Sequence, residues 1–267
     1  MKSRSLVFDL YGDYVRYHDG WIGVQSLARL ADPFGVSEET TRVTLSRMRR
    51  EGWLDSKRVG RLSWYGLTDR GWRLLDTGRD RIFNRRHLGW DGDWQLVIYQ
   101  VPESERAVRE RLRNTLDWLG FGALAPSTWV SAHDRSADLQ QAMCDRGIDA
   151  RLDSFTSRTG SIDTDCALAA RCWDLDGLHK GYLDFVNAYA PRLDDYTGFQ
   201  DQVCFVERVR LVNAYRKFPF VDPDLPEELL PHDWAGTQAH AVFLQAYEAL
   251  RNPAFRHFES VFDHPPS

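Results

Sequence analysis

Residues 37–61 read SEETTRVTLSRMRREGWLDSKRVGR, and their pattern decides the fold of the N-terminal third. Ser37 stands where an N-cap is needed, and Glu38 and Glu39 suit the positive end of a helix dipole, so a helix is predicted from Glu38 to Glu51. Within it Thr41, Thr44, Leu45 and Met48 follow the i, i+3, i+4, i+7 rule and form an inward stripe. The outward stripe is Glu39, Arg42, Val43, Ser46, Arg49 and Arg50, with Arg47 on its flank. Guanidinium forks interleaved with short hydroxyl side chains suit guanine edges and phosphates and allow close approach, which is what a helix in a DNA major groove needs. An Arg-rich helix alone would equally suit an ordinary solvated surface, so its neighbours matter. Gly52 ends the helix, Trp53-Leu54 open a strand, Leu62 to Tyr65 return, and Lys57, Arg58 and Arg61 lie at the tip of the hairpin so formed.

Upstream, Leu6, Val7, Leu10, Tyr14 and Val15 recur at helical spacing, predicting an amphipathic helix over Ser5–Tyr17. A short helix from Val24 to Ala31 follows and stops at Pro33 and Gly35. Downstream, Thr68-Asp69-Arg70-Gly71 caps a further helix through Ile82. Helix, helix, Arg-rich helix and basic hairpin, in that order, predict a winged helix-turn-helix domain over residues 1–86. The side chains expected on DNA are Arg42, Val43, Ser46, Arg47, Arg49 and Arg50 of the helix and Lys57, Arg58 and Arg61 of the wing.

The charge distribution agrees with that reading. The 267 residues carry a formal charge of −5. Residues 1–86 hold 17 Lys and Arg against 11 Asp and Glu, a charge of +6, which leaves −11 for the rest. A basic third on an acidic body is the footprint of one segment approaching phosphates. With 43% hydrophobic and 27% charged residues, the composition is that of a globular protein rather than a disordered one. No stretch approaches the ~20 apolar residues of a membrane span. Asp9, Asp13 and Asp19 interrupt any secretory signal, so a cytoplasmic location is expected. Cys144, Cys166, Cys172 and Cys204 show no CxxC spacing and are expected to be buried small hydrophobes, with no disulfide framework and no zinc site. The eight histidines form no HxH or HExxH pair, and no metal is expected.

Residues 90–160 predict a ferredoxin-like βαββαβ unit. Trp94 to Val101 is apolar on both faces, as a covered central strand must be. A helix follows from Glu103 to Leu119, then short extended pieces at Phe121–Leu124 and Thr128–Ala132 split by Pro126, a helix from Ser136 to Arg146, and a last strand over Ala150–Ser157. Dimerisation and coupling is the role expected of this unit. A metal-dependent nuclease would need converging carboxylates, whereas Asp91 and Asp93 stand at the beginning of the first strand. Residues 161–267 predict a mainly helical C-terminal effector-response domain, with Leu178, Tyr182, Phe185, Val186 and Tyr189 at helical spacing and again Val242, Phe243, Ala246, Tyr247 and Leu250. The whole reads as an α+β chain. No nucleophile triad or Gly-rich phosphate loop is present, so no catalytic residue is assigned and the protein is not expected to be an enzyme.

The runs SRSLVFDLYGDYVR, GVSEETTRVTLSRMRREGWLDSKRVGR, WDGDWQLVIYQVPESERAVRERLRNTLDWLGFGALAPSTWVS and NAYRKFPFVDPDLPEELLPHDWAG resemble the PaaX family of bacterial transcriptional repressors. The resemblance extends over most of the chain. Arg42, Leu45, Ser46, Arg47 and the REGWL run at Arg50–Leu54 match the family's recognition helix, whereas Thr40, Thr41 and Val43 depart from it. The family implies a homodimeric repressor bound to a pseudo-palindromic double-stranded operator and released by an acyl-CoA effector, phenylacetyl-CoA in the founding members. Such an effector needs Arg or Lys beside an apolar pocket. Arg216, Lys217, Phe218 and Phe220 are the candidates, with Trp234 as a wall. Pairing of Arg216 and Lys217 with acids such as Asp222 or Glu227 is the competing expectation. Two rival readings of the whole chain remain open: a ferredoxin-like metal-dependent nuclease fused to a DNA-binding domain, and a protein-interaction module.

Overall fold

The chain opens with helix α1, Ser3–Asp13. Four residues shorter at its C-terminal end than its apolar spacing suggests, it gives way to a 3-10 turn at Val15–Tyr17. It is also less amphipathic than expected, because Leu6, Val7, Leu10 and Tyr11 are buried together with Asp9 and Asp13. The computed structural model describes residues 1–84 and 89–263. The end expected for the first domain at residue 86 falls in 85–88, outside the described residues, as do residues 264–267.

A three-residue strand β1, Trp21–Gly23, leads into α2, Val24–Ala31. Pro33 then sits in a 3-10 turn closed by Gly35 at φ +73°, a left-handed conformation that costs a glycine nothing. Helix α3 spans Glu38–Arg50, with the Ser37 hydroxyl accepting from the Thr40 amide at 3.2 Å. Its inward stripe is buried as the spacing requires: Thr41, Thr44, Leu45 and Met48. Strands β2, Leu54–Val59, and β3, Leu62–Leu67, form the antiparallel wing, and β1 adds to its far side in the order β1-β3-β2. The Thr68 hydroxyl accepts from the Gly71 amide and starts α4, Asp69–Phe83.

Strand β4, Trp94–Gln100, begins the second sheet, followed by α5, Arg106–Trp118, the hairpin β5, Gly122–Ala125, and β6, Thr128–Ser131, then α6, Ser136–Asp145, and β7, Arg151–Ser157. Every pairing is antiparallel and the order is β5-β6-β4-β7. This is the ferredoxin-like arrangement, with β4 central. Both its faces are covered: Val97 and Tyr99 pack with Leu112, Leu116 and Leu139, while Trp94 and Leu96 pack with Val130, Ala169 and Leu225. Hence the apolar residues on both faces of that strand, interrupted only by Gln95 before Gln100 ends it.

Beyond it come α7, Ile162–Cys172, α8, Leu175–Tyr189, α9, Asp201–Tyr215, α10, Ala235–Ala249, and α11, Arg251–Val261. Residues 161–267 do not gather into a compact body by themselves. One unit comprises Met1–Asn84, Phe185–Arg216 and Gln238–Ser267, the other Arg85–Asp184 and Lys217–Thr237. The physical reason in the first unit is that α9 and α11 supply Phe205, Val209, Ala254, Phe258 and Phe262 to the core that also holds α1 to α3. In the second, α7 and the Pro-rich stretch supply Ala169, Leu225 and Leu229 to the outer face of the sheet. The cysteines correct the sequence expectation: Cys204 alone is buried, Cys166 and Cys172 are half-buried and Cys144 is exposed. No helix among the described residues is long and apolar enough to cross a membrane.

Candidate nucleic-acid interface

Burial of Leu45 and Met48 leaves the opposite face of α3 to solvent. Arg42, Val43, Ser46, Arg47, Arg49 and Arg50 are all exposed, as are Lys57, Arg58 and Arg61 of the wing. Two carboxylates one turn away hold two of the guanidiniums. Arg42 donates to Glu38 through Nε at 3.1 Å and Nη2 at 2.5 Å, and Arg47 donates to Glu51 through Nε at 2.9 Å. Arg4 of α1 also reaches Glu51, at 2.7 Å. Hydrogen bonding from Arg47, with the charge of Arg4 beside it, holds the Glu51 carboxyl below its usual range. Exposed pairs of this kind contribute little to stability and exchange readily for phosphate. Arg49 bridges the helix to the wing by donating to the Ser56 hydroxyl at 3.0 Å. Arg50 and Arg61 make no ion pair among the described residues.

Three contacts brace this surface that the spacing of apolar residues does not reveal. Lys57 lies over the Trp21 ring at 4.4 Å, Arg70 over the Trp53 ring at 3.9 Å, and the Ser3 and Thr44 hydroxyls are 2.9 Å apart. The Trp53 contact ties the end of α3 to the start of α4. Of these features only the i, i+4 spacing of Glu38 with Arg42 and Arg47 with Glu51 is visible in sequence.

The residues expected at an effector site separate. In the first unit, Arg216 turns to α1, with its Nε 3.0 Å from Asp9 Oδ1 and its Nη2 donating to Ser5. The acid that holds it is therefore neither Asp222 nor Glu227. In the second unit, Phe218 stacks on Tyr182 with ring centroids 4.4 Å apart, and Trp234 meets the same ring edge-on at 5.7 Å. The Tyr182 hydroxyl donates to Asp222 at 2.6 Å. Lys217 and Phe218 line a cavity of about 370 Å³ with Trp173, Leu175, Leu178 and Val221. Phe220 is half-buried on the 3-10 turn Phe218–Phe220 and is not among the residues lining that cavity.

Among the described residues no group of three or more His, Cys, Asp or Glu side chains is arranged to hold a metal ion. At the start of β4, Asp93 is paired with Arg158, and Asp91 accepts from the Asp93 amide. These acids are engaged with their neighbours rather than converging.

Comparison with known proteins places the chain. Residues 2–71 match the family described as PaaX-like protein, residues 87–169 that described as PaaX protein central Cas2-like domain, and residues 173–260 that described as PaaX-like protein C-terminal domain. The transcriptional repressor PaaX of Escherichia coli (strain K12) is 33% identical over 257 residues, covering 94% of this chain and 81% of that protein. The structure of the uncharacterized protein Rv0674 from Mycobacterium tuberculosis superposes with a TM-score of 0.65 at 24% identity, covering 97% of this chain and 98% of the other. That second likeness bears on fold alone.

Proposed function

The chain belongs to the PaaX family, and we propose that within it this protein acts in the cytoplasm as a ligand-responsive transcriptional repressor. The observation that carries the reading is the exposed arginine and hydroxyl face of α3, followed at once by a basic hairpin. As a homodimer the protein presents two such helices to a pseudo-palindromic operator, in major grooves about 10 bp apart or a multiple of that, with the wings on flanking phosphates. Non-specific attraction comes from the positive N-terminal segment, and sequence preference from α3.

Phenylacetyl-CoA, or another aryl- or acyl-CoA, is the effector class this reading assigns. The cavity beside Phe218 suits an apolar acyl end, and Lys217 at its rim suits a phosphate. Phe220 and Trp234 remain accessory candidates near the same turn. Arg216, already paired with Asp9, drops to the weakest of the five. The effector releases DNA by binding the DNA-incompetent arrangement more tightly, and its differential affinity sets the largest possible shift.

The test is fluorescence-anisotropy binding to the intergenic DNA upstream of the protein's own gene and to random duplex, with and without phenylacetyl-CoA. Preference for the upstream DNA, lost when the ligand is added, is the expected result. Specific binding that ignores the ligand would keep the repressor and overturn the effector. Equal binding to every duplex would overturn the repressor and favour a protein-interaction module.

A further inference from the structure

Val43 stands out on the exposed face of α3. The residue is 63% exposed, although every other position on that face is charged or carries a hydroxyl. An isolated exposed valine is ordinary on a protein surface, so its surroundings have to make the argument. Two arginines of the same helix are engaged by carboxylates one turn away, in opposite directions along it. Arg42 reaches back one turn to Glu38, and Arg47 reaches forward one turn to Glu51. With both long side chains so engaged, Val43 stays exposed. The inward neighbours Thr41, Thr44 and Leu45 are buried, so the helix cannot rotate to cover Val43 without exposing Leu45. A valine in a helix also has one strongly preferred χ1 rotamer, so its methyl groups are held in a fixed place at little further entropic cost.

A major groove offers one apolar feature for such a group, the C5-methyl of thymine. On a face whose cations bring it against DNA, Val43 cannot form a hydrogen bond to a base edge. It gains only where its methyl groups displace water from another methyl group. We propose that Val43 is a specificity-determining residue that selects a thymine in each operator half-site by contact with the thymine methyl group. This rests on the DNA-binding reading above and adds the base it favours. The flanking ion pairs leave Val43 uncovered in the unbound protein, and on DNA Arg42 and Arg47 exchange their carboxylates for the duplex while the valine approaches the groove floor.

The experiment uses the full-length protein and its specific duplex, with each thymine replaced in turn by deoxyuridine, which lacks only the methyl group. For the unmodified protein, one thymine per half-site is expected to show an affinity loss of about fourfold, the value of one buried methyl group. For Val43→Ala the intact duplex binds more weakly by a similar factor, and the deoxyuridine penalty disappears at that thymine while any others persist. Alanine has the higher helix propensity and the site is exposed, so the variant keeps its fold. Specific binding that is indifferent to deoxyuridine at every position would overturn the assignment of Val43 and leave the repressor standing. So would a penalty that Val43→Ala retains in full. Absence of any sequence preference would overturn the repressor reading, and this proposal with it.

Discussion

The guanidinium of Arg208 grips the carboxylate of Asp13 at two points, Nε to Oδ2 at 2.8 Å and Nη2 to Oδ1 at 3.2 Å, across 195 residues of sequence. The Tyr247 hydroxyl donates to the same carboxylate, and its backbone oxygen accepts from Arg208 Nη1. Both charged side chains are buried, 2% and 8% exposed. One of the two acids of α1 thus fixes the first helix of the N-terminal segment to α9. Removing one partner leaves the other charge buried and unpaired, which costs about 3–5 kcal/mol. Arg208→Ala and Asp13→Ala should each lower the urea-unfolding free energy by that order, and the double variant should lose clearly less than the sum. Additive losses would show that the two groups act independently.

Asp9, one turn earlier on α1, predicts a pH dependence. Burial pushes its carboxyl up to about 6, against the lowering influence of the Arg216 guanidinium and the Asn213 amide and with a small further push from Asp13. A carboxyl whose pKa is raised on folding favours the folded state while it is protonated. Its penalty grows as the pH rises from about 4 to about 6, reaching about 3 kcal/mol at about 1.4 kcal/mol per pH unit. Asp9→Asn removes the titration. Relative to the parent, the variant should therefore be favoured by about 2 kcal/mol more at pH 7 than at pH 4 in chemical-denaturation measurements. A difference that stays constant over that range would contradict the assignment.

The wing rests on a close approach between backbone and ring. A Cβ added to Gly66 of β3 would stand 2.7 Å from the Trp21 ring, the same ring that carries Lys57. Gly66→Ala should displace that ring at a cost of about 1–3 kcal/mol and disturb the pairing of β1 with β3. Urea unfolding followed by tryptophan fluorescence reads both effects, and an unchanged midpoint would mean the ring moves freely.

What the sequence discloses here is what short-range chemistry controls. The start of α3 follows from Ser37 and its two glutamates, its buried stripe from Leu45 and Met48, and the wing from alternation across Gly60. The ferredoxin-like order follows from the succession of strand and helix patterns, because β4 is apolar on both faces. Strand β1 escapes notice because three residues cannot show a period, and it exists only by pairing with β3. The partnerships of Arg208 and Arg216 are hidden for a different reason. Arg208 lies inside a helix, where a charge reads as solvent-facing, and Arg216 just past its end, where it reads as an effector contact or the partner of a nearby acid, and no periodicity identifies an acid some two hundred positions away. The same blindness made the C-terminal third read as a body of its own, although α9 and α11 bury Phe205 and Phe258 in the core of the winged helix segment.

Arg42 and the wing arginines should differ in kind. An arginine that reads a guanine edge contributes about 1–3 kcal/mol of discrimination, whereas one on phosphate strengthens every duplex alike and adds about one to the salt slope. Arg42 sits in the first half of α3, where recognition helices meet base edges, and its link to Glu38 is exposed and easily exchanged. Arg42→Ala should therefore lose affinity for the operator but little for random duplex. Arg58 and Arg61 flank the hairpin tip, where Arg58 is held, among the described residues, only by a 3.3 Å contact to the Gly60 carbonyl. Their alanine variants should weaken both duplexes similarly and flatten the dependence of log affinity on log salt. Anisotropy titrations over a salt series separate the two patterns, and an equal loss on both duplexes for Arg42→Ala would make that residue another phosphate contact.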